Sequence, residues 1–298
     1  MKKVSEKLIK NLNLTIFFVD STPARIYLAL LKKHGYQPEN ILFLDMEPKS
    51  KSYRLAKIIV GETFARKLAL KAKTMLTLTA KESEVSKAFS EKLLSKFDLT
   101  LKEIGSCCEI FPEVTVGKIS VNGLDDPSLI TYIKKSAINT FLFTGGGLLR
   151  EDLLSIPDKK FIHIHPGIVP EIKGADCFFW SYLLRGKAGY SVFYMNTGID
   201  TGDIIHTQEF DLNLSGAELN FENDSVYRAI LQFYDPCLRM SAFIQLLKNL
   251  ESDGHQKLEN FDMRKISFVK QDPNAGRTFF FMHDVLKKFV INKLRTMG

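Results

Sequence analysis

The first fifty residues restrict the chain to folds that are built on a parallel sheet. Residues 14–19 form a continuous apolar run with β-branched and aromatic members, which predicts a buried strand. Ser21, Thr22 and Pro23 then supply a cap and a first turn for a helix, and residues 41–44 form a second apolar run. This order predicts a β-α-β unit with parallel strands. No GxGxxG motif follows the first strand, so the sequence does not support a dinucleotide site.

The composition is that of an ordinary soluble globular protein. Apolar residues make up 45% of the 298 positions and charged residues 25%, and no apolar run approaches the roughly 18–20 residues of a membrane span. The N-terminus has no signal-peptide pattern, so we expect a cytoplasmic protein. The net charge of +7 allows an anionic ligand without demanding one. Four cysteines without a CxxC motif indicate reduced thiols and not a zinc knuckle or a disulfide framework.

The segment at residues 161–207 concentrates the side chains that carry chemistry. His163 and His165 stand two residues apart in a short apolar run, so a strand would point both imidazoles to the same face. Pro166 and Gly167 end that strand, and Asp200 lies in a later turn. An imidazole and a turn carboxylate form a natural pair for proton transfer, since the carboxylate holds the tautomer of the ring and raises its basicity.

Two other stretches are candidates for ligand contact. The predicted strand at residues 140–144 leads into three glycines at 145–147, which let a backbone approach a ligand closely. Residues 49–73 hold eight basic residues against one acidic residue, together with an apolar stripe that includes Leu55, Ile58 and Ile59. Such a helix would either bind an anionic substrate or form a solvated face whose apolar side packs on the sheet, and we favour the solvated face.

The segment at 161–207 resembles the folate-dependent formyltransferases, the family of glycinamide ribonucleotide, methionyl-tRNA and amino-sugar formyltransferases. The residues that carry the resemblance are His165-Pro166-Gly167, Pro170, Gly174 and Asp200-Thr201-Gly202. The likeness is good over residues 161–205 and loose over 14–214. It implies an α/β, Rossmann-like formyltransferase fold in which helices flank a mostly parallel sheet, with a small C-terminal extension. It further implies a catalytic domain at residues 1–215 with a helical insertion at 46–110, and a C-terminal helix and small tail at 216–298.

The resemblance also implies a cofactor and the residues around it. The formyl donor would be 10-formyltetrahydrofolate, and His165, supported by Asp200, would stabilise the oxyanion and transfer the proton. The family places an asparagine two residues before its histidine as a donor to the oxyanion; this chain has His163 there, whose N–H would take over that role. No metal is implied. The residues expected to contact the folate are Gly147, Leu148, Leu149, Asn196, Thr197, Gly198, Ile199 and Asp200.

The acceptor implied by the resemblance is an amine on a small molecule or a carrier, such as an amino sugar on a nucleotide or an amino acid. The tail is shorter than the C-terminal domain with which methionyl-tRNA formyltransferases bind RNA, which argues against a nucleic acid. Two alternatives stay open. One is a metal-dependent hydrolase in which His163, His165, Asp200 and His206 supply the ligands. The other is a folate-binding homologue that has lost turnover because of His163. The sequence does not define the oligomeric state.

Overall fold

A single twisted sheet organises the molecule. The computed structural model describes residues 9–46, 51–61, 64–65, 84–106, 111, 114–212, 214, 219–253 and 258–296. Its strands are β1 (Lys10–Val19), β2 (Tyr36–Met46), β3 (Thr115–Val121), β4 (Thr140–Phe143), β5 (Lys160–His165), β6 (Ile172–Gly174), β7 (Ala188–Tyr194), β8 (Asp203–Phe210) and β9 (Arg277–Phe279). In this part of the chain seven strands pair in the order β3-β2-β1-β4-β5-β7-β8, while β6 pairs with β9. The first five of that order run parallel, and β7 is antiparallel to both β5 and β8. The predicted α/β class with a mostly parallel sheet is confirmed.

Helices cover both faces of the sheet. They are α1 (Thr22–Lys33), α2 (Lys51–Val60), α3 (Glu84–Ser95), α4 (Leu101–Gly105), α5 (Pro127–Lys135), α6 (Glu151–Leu154), α7 (Cys177–Arg185), α8 (Asn223–Ala229), α9 (Asp235–Ser252) and α10 (Asp284–Arg295). A π-helical turn, Ile230–Tyr234, joins α8 to α9. Helix α1 begins where its sequence indicates, because the Ser21 hydroxyl accepts a hydrogen bond from the Ala24 N–H and Pro23 occupies the first turn.

The central strand β1 is buried on both faces, which explains its continuous apolar run. Ile16 and Phe18 belong to the core layer beneath α1 and α9, and Phe17 belongs to the layer on the opposite face. There the Phe17 ring meets that of Phe161 edge-on, with 5.9 Å between centroids. The β-α-β prediction thus holds, and the carboxyl ends of β1, β4 and β5 meet at one edge of the sheet.

The basic stretch departs from its predicted packing. Leu55, Ile58 and Ile59 on α2 are 60%, 82% and 71% exposed, so the expectation that this apolar stripe packs on the sheet is wrong. The reason is the rotation of the helix, which turns Tyr53 inward and the stripe outward. Residues 47–50, 62–63, 66–83 and 107–110 of the predicted 46–110 insertion lie outside the described residues. None of the described helices is long and apolar enough to cross a bilayer.

Residues 272–282, called the C-terminal segment below, pack against the loop that follows β5. Strand β9 pairs in parallel with β6, so that Ile172 lies opposite Arg277. The Lys173 ammonium donates to the backbone oxygens of Pro273 (3.1 Å) and Ala275 (2.8 Å). These contacts hold β9 and the residues after it against the C-terminal edge of the main sheet.

Candidate functional site

The two histidines lie at the end of β5, as the sequence predicts, and point into one cavity. His165 is 2% exposed, and its Nε2 lies 3.1 Å from the backbone oxygen of Ile172. A carbonyl oxygen can only accept, so this contact places a hydrogen on Nε2 of His165. In the neutral ring Nδ1 then carries the lone pair, and it faces the Asp200 carboxylate, with 3.4 Å between Nδ1 and Oδ2.

Asp200 is held in place by its turn. It adopts a left-handed backbone conformation with φ of 52°, and its Oδ2 accepts a hydrogen bond of 2.8 Å from the Gly174 N–H. The turn itself is closed by Asn196, whose Oδ1 accepts from the Gly198 N–H and the Thr201 hydroxyl. The carboxylate therefore has a fixed position beside the His165 ring.

Burial keeps both histidines predominantly neutral. It lowers the pKa of His165, although the Asp200 carboxylate and the Ile172 carbonyl act in the opposite direction. Burial, with a smaller contribution from His165, lowers the pKa of His163 to about 4. The Nδ1 atom of His163 is buried and has no hydrogen-bond partner among the described residues. His163 thus stands beside the cavity as a predominantly neutral ring.

A cavity of about 710 Å³ extends over the C-terminal edge of the sheet from these rings. Four of the predicted folate contacts line it: Gly147, Leu148, Ile199 and Asp200. Gly147 has a φ of 105°, a conformation that favours glycine. The other four do not line it: Leu149 is buried in the core layer, and Asn196, Thr197 and Gly198 form the turn behind Asp200.

A buried ion pair that the sequence did not indicate lies at the cavity. Asp235, fully buried, accepts hydrogen bonds from the Tyr190 hydroxyl (3.0 Å) and from Nε of Arg239 (2.9 Å). The Arg239 side chain is 22% exposed and lines the cavity together with Tyr27. Burial alone would lower the pKa of Arg239, but the Asp235 carboxylate raises it, so the guanidinium stays charged. The sequence signal that could have indicated this pair is an aspartate and an arginine four residues apart on a predicted long helix.

The C-terminal segment supplies another part of the cavity that the sequence did not indicate. Phe280 and Phe281 line the cavity and are 81% and 80% exposed. The Trp180 indole donates to the Phe280 backbone oxygen (3.0 Å), and the Asp176 carboxylate accepts from the Met282 N–H (2.7 Å). Trp180 on α7 and Asp176 just before it therefore fix the position of this aromatic pair.

Three possible metal ligands meet in the cavity. One atom each from His163, His165 and Asp200 lies within 4.8 Å of the other two. His206, the fourth ligand of the hydrolase alternative, is not part of this group within the described chain. Cys177 also lines the cavity, but burial raises the pKa of its thiol well above the usual range, which does not suit a nucleophile.

Comparison with known proteins connects this geometry to a family. A methionyl-tRNA formyltransferase of Syntrophus aciditrophicus is 30% identical over 90 residues, which are 29% of this chain and 28% of that protein. The mitochondrial 10-formyltetrahydrofolate dehydrogenase of Homo sapiens is 32% identical over 125 residues, 38% of this chain and 13% of that one. The chain thus aligns with less than a third of the length of these relatives.

Solved structures show a weaker likeness. A sugar N-formyltransferase from a Shewanella species is 11% identical, with 96% of this chain and 87% of that chain covered and a TM-score of 0.44. A phosphoribosylglycinamide formyltransferase from Streptococcus pneumoniae is 12% identical, with 82% and 99% covered and a TM-score of 0.42. Both scores lie below 0.5.

The family model provides the assignment. The model described as formyl transferase matches residues 71–219, half of the chain, and this range contains β3 to β8 with His163, His165 and Asp200. The chain belongs to the formyl transferase family.

Proposed function

We propose that the protein transfers a formyl group from 10-formyltetrahydrofolate to an amine of a small-molecule or carrier-bound acceptor. The observation that carries this proposal is the His165–Asp200 pair, 3.4 Å apart, beside a cavity within the family-matched segment. We assign catalysis to residues 1–215 and treat residues 216–298 as an extension that contributes to the cavity.

The pair can perform the proton transfer that formyl transfer requires. The neutral His165 ring offers a lone pair at Nδ1, which takes the proton that the amine releases after it attacks the formyl carbon. Both N–H groups of the resulting imidazolium have acceptors, the Asp200 carboxylate and the Ile172 carbonyl, so the protonated ring is stabilised as it forms. The same proton then passes to the leaving nitrogen of the folate. His163 provides the hydrogen bond to the oxyanion in place of the family asparagine.

The cavity offers separate surfaces for two ligands. The pterin would lie against Gly147, Leu148 and Ile199, at the carboxyl ends of the strands. The acceptor would then lie towards the aromatic pair Phe280 and Phe281. Exposed aromatic faces pack against sugar and base rings, which supports an amino sugar on a nucleotide as the acceptor.

Calorimetric titration with 5-formyltetrahydrofolate, a stable analogue, tests the donor. We expect micromolar binding to the wild type and a loss of about tenfold or more in Asp200→Ala, because a hydrogen-bonded charged group is worth about 1.5–3 kcal/mol. Asp203→Ala is the matched control, since Asp203 begins β8 and does not line the cavity. Absence of binding at millimolar concentration would reject the folate donor.

A homologue that binds folate without turnover is the second candidate. It is favoured by the position of His163, where the family pattern has asparagine. This candidate predicts analogue binding without transfer to any amine, and a gain of transfer in His163→Asn. Transfer of the formyl group by the wild type would exclude it.

A further inference from the structure

The side chain of Arg239 places a positive charge in the wall of the cavity. It belongs to α9, and among the described residues that line the cavity it is the only lysine or arginine. Its partner Asp235 is fully buried and does not line the cavity, whereas the Arg239 side chain is 22% exposed. The cation of this ion pair, and not its counter-charge, therefore borders the space that a ligand would occupy.

The contacts that hold the guanidinium leave some of its donors for a ligand. Asp235 accepts from Nε and Nη2 of Arg239 through one carboxylate oxygen, and its other oxygen accepts from the Tyr190 hydroxyl. The Tyr27 hydroxyl is hydrogen-bonded to the same guanidinium. A guanidinium carries more N–H donors than these two partners use. Asp235 and Tyr27 thus fix the group in place, and further N–H donors remain.

The guanidinium lies close to the catalytic histidines. Its charge acts on His163 and on His165 and contributes to the lowered pKa of each ring. All three side chains line the same cavity. A ligand whose amine meets His165 can therefore extend to Arg239. The attraction between a guanidinium and an anion is stronger in such a cavity than on an exposed surface, because less water screens it.

Two carboxylates also line the cavity, but both have other partners. Asp200 accepts from the Gly174 N–H and stands beside His165, and Asp176 accepts from the Met282 N–H. With one cation and two carboxylates in its wall, the cavity does not attract anions in general. A negative group of a ligand is stabilised only where it meets Arg239 directly, which makes this contact selective.

We propose that Arg239 binds an anionic group of the acceptor, a carboxylate or a phosphate, and thereby selects amines that carry such a group. The proposal rests on the proposed function only in placing the amine of the acceptor at His165. A planar guanidinium can donate to two oxygens of a carboxylate or a phosphate at once, so the contact also orients the acceptor. A carboxylate would belong to an amino acid, and a phosphate to an amino sugar on a nucleotide.

Binding of small anions to the full-length protein, without folate, tests the contact. Sodium acetate and sodium phosphate are titrated at an ionic strength held constant with sodium chloride, and the midpoint of thermal unfolding reports binding. We expect a saturable rise of the midpoint in the wild type with at least one of the anions, with a dissociation constant of about 1–10 mM. Tighter binding of acetate indicates an amino acid as the acceptor, and tighter binding of phosphate indicates a nucleotide-bound amino sugar.

Two variants at Arg239 separate binding from folding. Arg239→Lys keeps a counter-charge for Asp235, so it should fold, but it loses the planar pair of donors and should bind about tenfold more weakly. Asp235→Asn/Arg239→Met removes both charges and should abolish the saturable rise. Arg228→Lys is the matched control, because Arg228 pairs with Asp224 at the same i, i+4 spacing and does not line the cavity. It should bind the anions as the wild type does.

The proposal is overturned if neither anion gives a saturable rise in the wild type. It is also overturned if Arg239→Lys has the dissociation constant of the wild type, since a purely structural Arg239 would change the midpoint of the ligand-free protein and leave anion binding unchanged. Arg239→Lys decides alone if the double variant does not fold. Because no folate is present, anion binding and formyl transfer can fail independently.

Discussion

The buried pair of Asp235 and Arg239 yields a sharp prediction about stability. The Asp235 side chain is fully buried, and among the described residues it accepts hydrogen bonds from the Tyr190 hydroxyl and from Arg239. The substitution Arg239→Met keeps much of the volume and removes the charge. The carboxylate of Asp235 would then remain buried with one neutral donor and no counter-charge.

The expected loss is about 3–5 kcal/mol, the usual cost of removing one partner of a buried ion pair. This is a large part of the 5–15 kcal/mol by which domains are typically stable. The double variant Asp235→Asn/Arg239→Met should recover part of the loss, because the amide carries no charge and still bonds to the Tyr190 hydroxyl. The two substitutions are therefore expected to be non-additive by more than 1 kcal/mol.

Urea unfolding followed by circular dichroism measures these effects as shifts of the midpoint. The control is Arg228→Met, because Arg228 pairs with Asp224 at the same i, i+4 spacing but both side chains are exposed, 69% and 77%. An exposed pair of this kind contributes at most about 0.5 kcal/mol, so its midpoint should barely move. Equal midpoints for Arg239→Met and the wild type would refute the view that the buried Asp235 carboxylate needs the charge of Arg239 for the protein to keep its stability.

Two further predictions concern acid stability and the C-terminal segment. The pKa of His163 is about 4 in the folded protein and near 6.5 in the unfolded chain, so its contribution is complete above pH 6.5 and is lost as the pH falls towards 4. Between pH 7 and pH 4 the free energy of unfolding of His163→Asn should fall by up to about 3 kcal/mol less than that of the wild type, and parallel stability curves would contradict this. Gly276→Ala should release the C-terminal segment, seen as faster limited proteolysis, because the new Cβ would lie 1.5 Å from the Pro170 backbone oxygen. Gly186→Ala is its control, with the same φ of 73° but nothing within 4 Å; equal effects of the two would show that backbone strain alone matters.

Much of the site could be predicted from the sequence because its signals are local. Two histidines at alternate positions of a strand share a face in any sheet, and proline and glycine after them end the strand. The association of Asp200 with His165 came from the family pattern, and the structure brings the two to 3.4 Å. The orientation of the His165 ring could not be read in this way, because it depends on the Ile172 carbonyl in a loop that turns back onto the strand.

The sequence by itself determined the β-α-β order, the start of α1 and the face shared by His163 and His165, since periodicity and capping act over a few residues. Only the tertiary structure decided the antiparallel placement of β7, the outward rotation of α2 and the other side chains of the cavity. Tyr190 meets Asp235 from 45 residues away, and the Trp180 indole meets Phe280 from 100 residues away. Such contacts depend on how whole helices and strands pack together, and no periodic pattern in the sequence indicates them.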